Sequence, residues 1–263
     1  MTYRLLGLSL LLAACGGAAD STRVEEPALD PVVEDERPDE DEGEDEDGVE
    51  LVSTRGKMDP ADIEAALQPH AAALEDCYAS AVGRNKWLGG AVSIHWHLDK
   101  TGALVKVQLE TSDLGSWPIE KCLLDVARAM TFPAPRGGPA DFSIPLEFSA
   151  RGSAQWWEPD RAEAVVSKRK AELAECAAEA GVADPGDVTV TVYVGTRGKV
   201  QAAGFSSPAV EPIADAWADC AHARVMAWTL SDPKGKVAKL AFKHNPGVGV
   251  ATEDGGDVDE GSW

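Results

Sequence analysis

The chain has 263 residues and a formal charge of −21, an acid excess of the kind that repels nucleic acid or attracts cations. The acid sits at the ends. Sixteen acidic residues against two arginines lie between Asp20 and Glu50, and five more follow in the last fifteen residues, so Leu51–Val248 carries 24 acids and 21 bases.

The chain opens with Arg4, an apolar run from Leu5 to Leu12, and then Ala13-Ala14-Cys15. That run is too short for a transmembrane helix, which needs about 20 apolar residues, and it has the layout of a secretory signal over residues 1–14. "LAAC" at 12–15 resembles the bacterial lipobox, which implies Cys15 as the first mature residue and the site of lipid attachment. Two or three acyl chains, at about 0.8 kcal/mol per buried methylene, hold a protein on a bilayer. The expected location is the bacterial cell envelope, lipid-anchored. Gly rather than Asp at position 16 favours the outer membrane, facing the periplasm or the cell surface. The alternative is an ordinary cleaved signal with an incidental cysteine.

Residues 15–57 read as a disordered acidic linker. "VVEDERPDEDEGEDEDGVE" has no aromatic residue and almost no apolar one, so it cannot repay its ordering entropy. Mutual repulsion keeps such a segment extended, and forty residues at about 3.3 Å each reach about 130 Å. A calcium loop is a poor alternative. It requires alternating Asp or Asn leading to Gly and then a bidentate Glu, whereas Gly43 stands where a first ligand belongs and 51–56 contains no acid.

From Asp59 onward the chain repeats itself. Asp59-Pro60 has its counterpart in Glu158-Pro159, Leu67 in Val166, Leu74 in Leu173 and Cys77 in Cys176, all offset by 99. Proline behind an acidic cap is a helix start. Ile63, Leu67, Leu74, Cys77, Tyr78 and Ala81 make an apolar stripe at three- and four-residue steps, with Pro69 kinking or restarting the helix. Next, "GGAVSIHWHLDKTGALVKVQLETS" and "GDVTVTVYVGTRGKVQAAGFSS" read as hairpins turning at Gly102 and Gly198. A second helix begins near Ser116-Trp117-Pro118 and again near Glu211-Pro212. The strands "FSIPLEF" and "VAKLAF" close the two copies.

The fold class is therefore α+β, with helix, strand, strand, helix, strand built twice. Each copy has a three-stranded antiparallel sheet covered by two helices. The units span 58–150 and 155–245, joined by Arg151–Trp157, and a disordered acidic tail occupies 246–263.

Setting Cys15 aside leaves four cysteines in an oxidising compartment, the setting for disulfides. Of three possible pairings the repeat selects Cys77–Cys122 and Cys176–Cys220. Each bridge closes a loop of about 45 residues, worth about 4 kcal/mol by chain entropy. Buried free thiols are the alternative. No C-x-x-C pair exists for redox catalysis.

The "CY" in a helix, "GGAVSIHWHLDKTGAL", the second cysteine and "FPAPRGG" before an alternating strand resemble the AgmX/PglI carboxy-terminal domain, a family similar in shape to the TonB/TolA carboxy-terminal domain. The resemblance covers about 58–150. In the second copy Ala177 stands where Tyr78 stood, and Trp228-Thr-Leu-Ser-Asp-Pro233 replaces the Phe-Pro-x-Pro segment, so this copy is degenerate. The resemblance implies two tandem TonB-like units and a non-catalytic adaptor that pairs an edge strand with a partner's extended segment.

His95 and His97 share one strand face, but zinc needs a further converging ligand. The other histidines show no such spacing, so no metal and no cofactor are expected. Trp156 and Trp157, in the joining loop, are a candidate contact surface or a packed junction. Trp96, Trp217 and Trp228 fall at core positions. No nucleophile motif, phosphate loop or paired-acid signature marks an enzyme. The sequence thus reads as a lipid-anchored envelope protein that binds an unidentified envelope protein and no nucleic acid. A peptidoglycan- or glycan-binding lipoprotein is the alternative, and a secreted hydrolase ranks third.

Overall fold

A computed structural model of the chain describes residues 56–83 and 85–245. The signal segment 1–14, Cys15, the linker up to residue 55 with its acidic run, and the tail 246–263 with Trp263 lie outside the described residues.

The architecture is α+β. In the first repeat, helix α1 (Pro60–Leu67) passes through a 3₁₀ turn at Gln68–His70 into α2 (Ala71–Val82). Strands β1 (Gly90–Leu98) and β2 (Leu104–Ser112), helix α3 (Trp117–Arg128) and strand β3 (Ala140–Phe148) follow. The helix start obeys the sequence: Asp59 Oδ1 accepts the Ala61 N–H at 3.0 Å, with Pro60 at the first helical position. Pro69 falls in the 3₁₀ turn, where its missing N–H ends one α-helix and lets the next begin.

The second repeat runs β4 (Gln155–Trp156), α4 (Pro159–Val166), a 3₁₀ stretch at Lys170–Ala174, α5 (Glu175–Ala180), β5 (Val188–Val194), β6 (Val200–Ser206), α6 (Asp215–Met226) and β7 (Ala238–His244). Here the structure adds two features. The second sheet has four strands, because β4 pairs in parallel with the start of β7, so the expected three-stranded sheet holds only for the first repeat. The last helix begins at Asp215 rather than near Pro212: Ala214, its cap, is still extended, and Pro212 and Ile213 lie beside Trp117, Leu124 and Phe205.

The sheets have matching strand orders, β2-β1-β3 and β6-β5-β7-β4, with every pair but β4–β7 antiparallel. Both hairpins turn through glycines at positive φ, Gly102 at 85° and Gly198 at 75°. At each, a Cβ would collide with the backbone of the following segment, at Phe132–Pro133 and at Leu230.

Alternation along β1 puts Val92, Ile94, Trp96 and Leu98 into the core. Trp96 is stacked on Phe142 and donates its indole N–H to Ala127 O at 3.3 Å. Cys77 is bonded to Cys122 and Cys176 to Cys220, each bridge tying the first helical segment of its repeat to the last helix. Tyr78 adds a tie absent from the second repeat: its one hydroxyl hydrogen lies between two carbonyl acceptors, Leu88 O (2.8 Å) and Ser149 O (3.0 Å), beside the ends of β1 and β3.

The two repeats pack into one compact unit. The outer face of the second sheet is buried against the first repeat: Thr191 and Tyr193 are almost wholly enclosed, and a Cβ on Gly115 would press against both. Tyr193 donates to Gly89 O at 2.9 Å, and Lys239 reaches the same oxygen at 3.0 Å. At the edges, Ser207 N donates to Leu109 O at 2.9 Å and Phe205 N to Glu120 Oε2 at 2.9 Å. The outward edge of β6 is thereby covered. Arg128 forks onto both Asp215 oxygens (2.8 and 2.9 Å), and Trp117 and Lys121 meet Asp219.

Candidate interaction surface

With β6 covered and β2 lying against it, the long edge left in the first sheet is β3, which among the described residues is bonded only to β1. Pro145 sits opposite Ser93 in the middle of β3. Proline fits a sheet only where its missing N–H faces away from the ladder. The odd-numbered residues of β3 therefore turn their backbone toward the open side, offering the N–H groups of Asp141, Ser143 and Glu147. The described residues just before α1 meet the chain at the start of this edge, where Gly56 N donates to Pro139 O at 2.6 Å and Lys57 pairs with Arg136.

The even-numbered residues of β3 face the helices but are incompletely covered. Phe142, Ile144, Leu146 and Phe148 are all half-buried, unlike the fully buried inner row of β1. Between β3 and the helices runs a groove of about 400 Å³ walled by Leu67, Leu74, Leu146 and Phe148 and rimmed by Glu64, Glu75 and Glu147. Open backbone, an apolar trough and an acidic rim thus lie side by side.

The opposite face of the same sheet is polar. His97 Nδ1 lies 2.7 Å and His95 Nε2 3.3 Å from Asp141 Oδ1, and His95 Nδ1 lies 3.0 Å from Ser143 Oγ. Ser143 Oγ donates to Glu110 Oε2 at 2.8 Å. Burial pushes the Asp141 carboxyl up, but the hydrogen bonds and charges of the two imidazoles outweigh it and hold the group below its usual range. Both histidines thus answer to one aspartate. Among the described residues no group of three or more His, Cys, Asp or Glu is arranged to hold a metal ion.

The tryptophan pair divides. Trp156, in β4, is 45% exposed, whereas Trp157 is 1% exposed and lies under the Arg161 guanidinium, 4.1 Å from its ring centre. A contact surface through both rings is therefore not available; Trp156 alone faces solvent. Trp96, Trp217 and Trp228 are buried.

Several residues central to these surfaces carry no sequence signal. Asp141 and Glu110 look like ordinary solvent-side positions of alternating strands. Glu120, fully buried at the junction of the repeats, looks like a routine acid in the first turn of a helix. No protein-family model matches the chain, and no curated protein or solved structure does either.

Proposed function

We propose that the chain is a lipid-anchored adaptor of the bacterial cell envelope whose first repeat captures an extended segment of a partner protein along β3. The carrying observation is the juxtaposition of the unpaired β3 edge with the half-buried row Phe142, Ile144, Leu146 and Phe148. An added strand gains backbone hydrogen bonds from the edge and specificity from alternate side chains entering the groove. The acidic rim selects a segment with basic residues flanking its apolar ones. The AgmX/PglI-like motif order and the TonB-like reading of each repeat support the same conclusion. In this reading the second repeat is scaffold, since its outer face and its β6 edge are spent on holding the first. Membrane attachment is through Cys15, toward the outer membrane.

A photo-crosslinker at position 143 or 147 tests the edge. It is expected to trap a partner in intact cells, and a second edge proline, Glu147→Pro, is expected to abolish the adduct without altering thermal unfolding. An adduct that survives the proline removes edge pairing. Retention by purified cell wall with no protein adduct replaces the adaptor with the glycan-binding alternative, for which Trp156 is the available ring. Cys15→Ser is expected to release the chain from membranes; continued membrane binding removes the anchor.

A further inference from the structure

The described residues begin at Gly56, beside the start of β3. Lys57 and Arg136 exchange backbone hydrogen bonds at 2.9 and 3.0 Å, and Gly56 N donates to Pro139 O at 2.6 Å. One step along the first segment thus answers three along the second, leaving Gly137 and Gly138, both at positive φ, as a bulge. A Cβ on Gly56 would collide with Gly138 O, so glycine here lets the incoming backbone lie directly on the strand.

The Gly56–Pro139 bond fixes a phase. Pro139 is odd-numbered, and the odd-numbered residues of β3 are those whose backbone faces away from β1. Bonded pairs of an antiparallel ladder recur every two residues. An extended chain leading backward from Gly56 therefore sets Thr54 opposite Asp141, Val52 opposite Ser143 and Glu50 opposite Pro145. Directly opposed residues share a face, so the intervening positions fall on the groove side: Ser53 against Phe142, Leu51 against Ile144, Val49 against Leu146. The two large apolar side chains of the groove-side positions meet the half-buried row and the groove beside it. A slip of one residue would turn both to the polar face. "VELVST" at 49–54 contains no proline or glycine and is rich in strand-favouring residues. Upstream come Gly48 and the acids 44–47, which the rim of Glu64, Glu75 and Glu147 repels, so the match stops where the acidic run begins.

We propose that residues 49–54 of this chain lie along β3 as a fourth, antiparallel strand and hold the edge until a partner displaces them. The segment is covalently continuous with residues already bonded at the edge, so closing it costs little loop entropy and its effective concentration is high. Displacement rests on the β3 capture proposed above. The occupant has no basic residue between 49 and 54 to set against the acidic rim, and a partner segment with basic flanks has that advantage over it.

NMR of the isotope-labelled full chain tests the pairing. Overhauser contacts are expected between the α-protons of Ser53 and Phe142 and of Leu51 and Ile144, the close non-bonded pairs of the ladder, together with slow exchange of the Val52 and Ser143 amides. Val52→Pro removes a donor the ladder needs and is expected to abolish the contacts and speed Ser143 exchange at least tenfold. Ser53→Pro, whose missing N–H faces away from β3, is expected to leave Ser143 exchange slow. Both changes lie outside 56–245 and leave the repeats folded. Absence of both α-proton contacts, or equal Ser143 exchange in the parent and Val52→Pro, overturns the pairing. The same contacts appearing between a labelled and an unlabelled chain give the strand to a second copy and overturn it as well. Displacement is read separately: Val52→Pro is expected to raise partner adducts at a position-147 crosslinker several-fold. Unchanged adducts overturn displacement. No adduct in either chain overturns partner capture and displacement together, while the contacts of Ser53 and Leu51 decide the pairing by themselves.

Discussion

Glu120 Oε2, on the last helix of the first repeat, accepts the backbone N–H of Phe205, on the edge strand of the second, at 2.9 Å. Its Oε1 accepts from Ser112 Oγ (2.7 Å) and Gly115 N (3.2 Å). A single carboxyl thus answers donors from both repeats.

The enclosure sets a pH dependence. Burial pushes the Glu120 carboxyl up to about 7, and the hydrogen bonds from Ser112, Phe205 and Gly115 only partly oppose it. Below about pH 4.5 folded and unfolded chains both hold the proton; between about 4.5 and 7 only the folded chain does. The contribution of this group to stability therefore falls as pH rises through that window, by about 3 kcal/mol. His222 and His244, whose burial lowers their pKa, act in the opposite direction around pH 6.5. The isolating measurement is the difference between the parent and Glu120→Gln in urea unfolding at pH 5 and pH 8. That difference is expected to change with pH; a constant difference rules the titration out.

Gly204 faces this carboxylate so closely that a Cβ would collide with both oxygens. Gly204→Ala is expected to cost about 1–3 kcal/mol by overpacking. Combined with Glu120→Ala it should cost clearly less than the sum of the two single changes. Additive losses in a double-mutant cycle, read by chemical denaturation, would contradict the contact.

Each disulfide joins residues 45 or 44 positions apart. Replacing Cys77 and Cys122 together by Ala is expected to lower stability by about 2–4 kcal/mol, and the Cys176/Cys220 pair by a similar amount. Thermal unfolding of the two double variants measures this. A loss confined to one repeat would show that the bridges do not carry equal weight.

Tyr78→Phe keeps the ring against Phe148, 5.0 Å between centres, but removes the hydroxyl that reaches Leu88 O and Ser149 O. The expected cost is about 1 kcal/mol, accompanied by faster amide exchange at the Gly90 end of β1. Unchanged exchange there would mean the hydroxyl does not tie the helix to the strand ends.

The duplication was legible because it is written in periodic features: proline helix starts, cysteines at a constant offset and alternating strands. The union of the repeats was not. It depends on Gly204, which gives no periodic signal but lets Glu120 approach β6, and on Thr191 and Tyr193, which alternate as solvent-side residues do. Strand β4 leaves no mark in the sequence because two residues in parallel pairing have no pattern of their own. Of the candidate surfaces, the histidine pair was visible on its strand. Asp141 and Glu110 are brought to it by register, which local sequence does not encode.

The shared interface has a consequence for how the molecule comes apart. Glu120, Tyr193 and Lys239 each find hydrogen-bond partners in the other repeat, so pulling the repeats apart while both stay folded would strand buried polar groups on each. Neither half is then a comfortable intermediate. Melting should be all-or-none across residues 56–245, with calorimetric and van't Hoff enthalpies equal, and the array should behave as one cooperative body rather than two beads on a string.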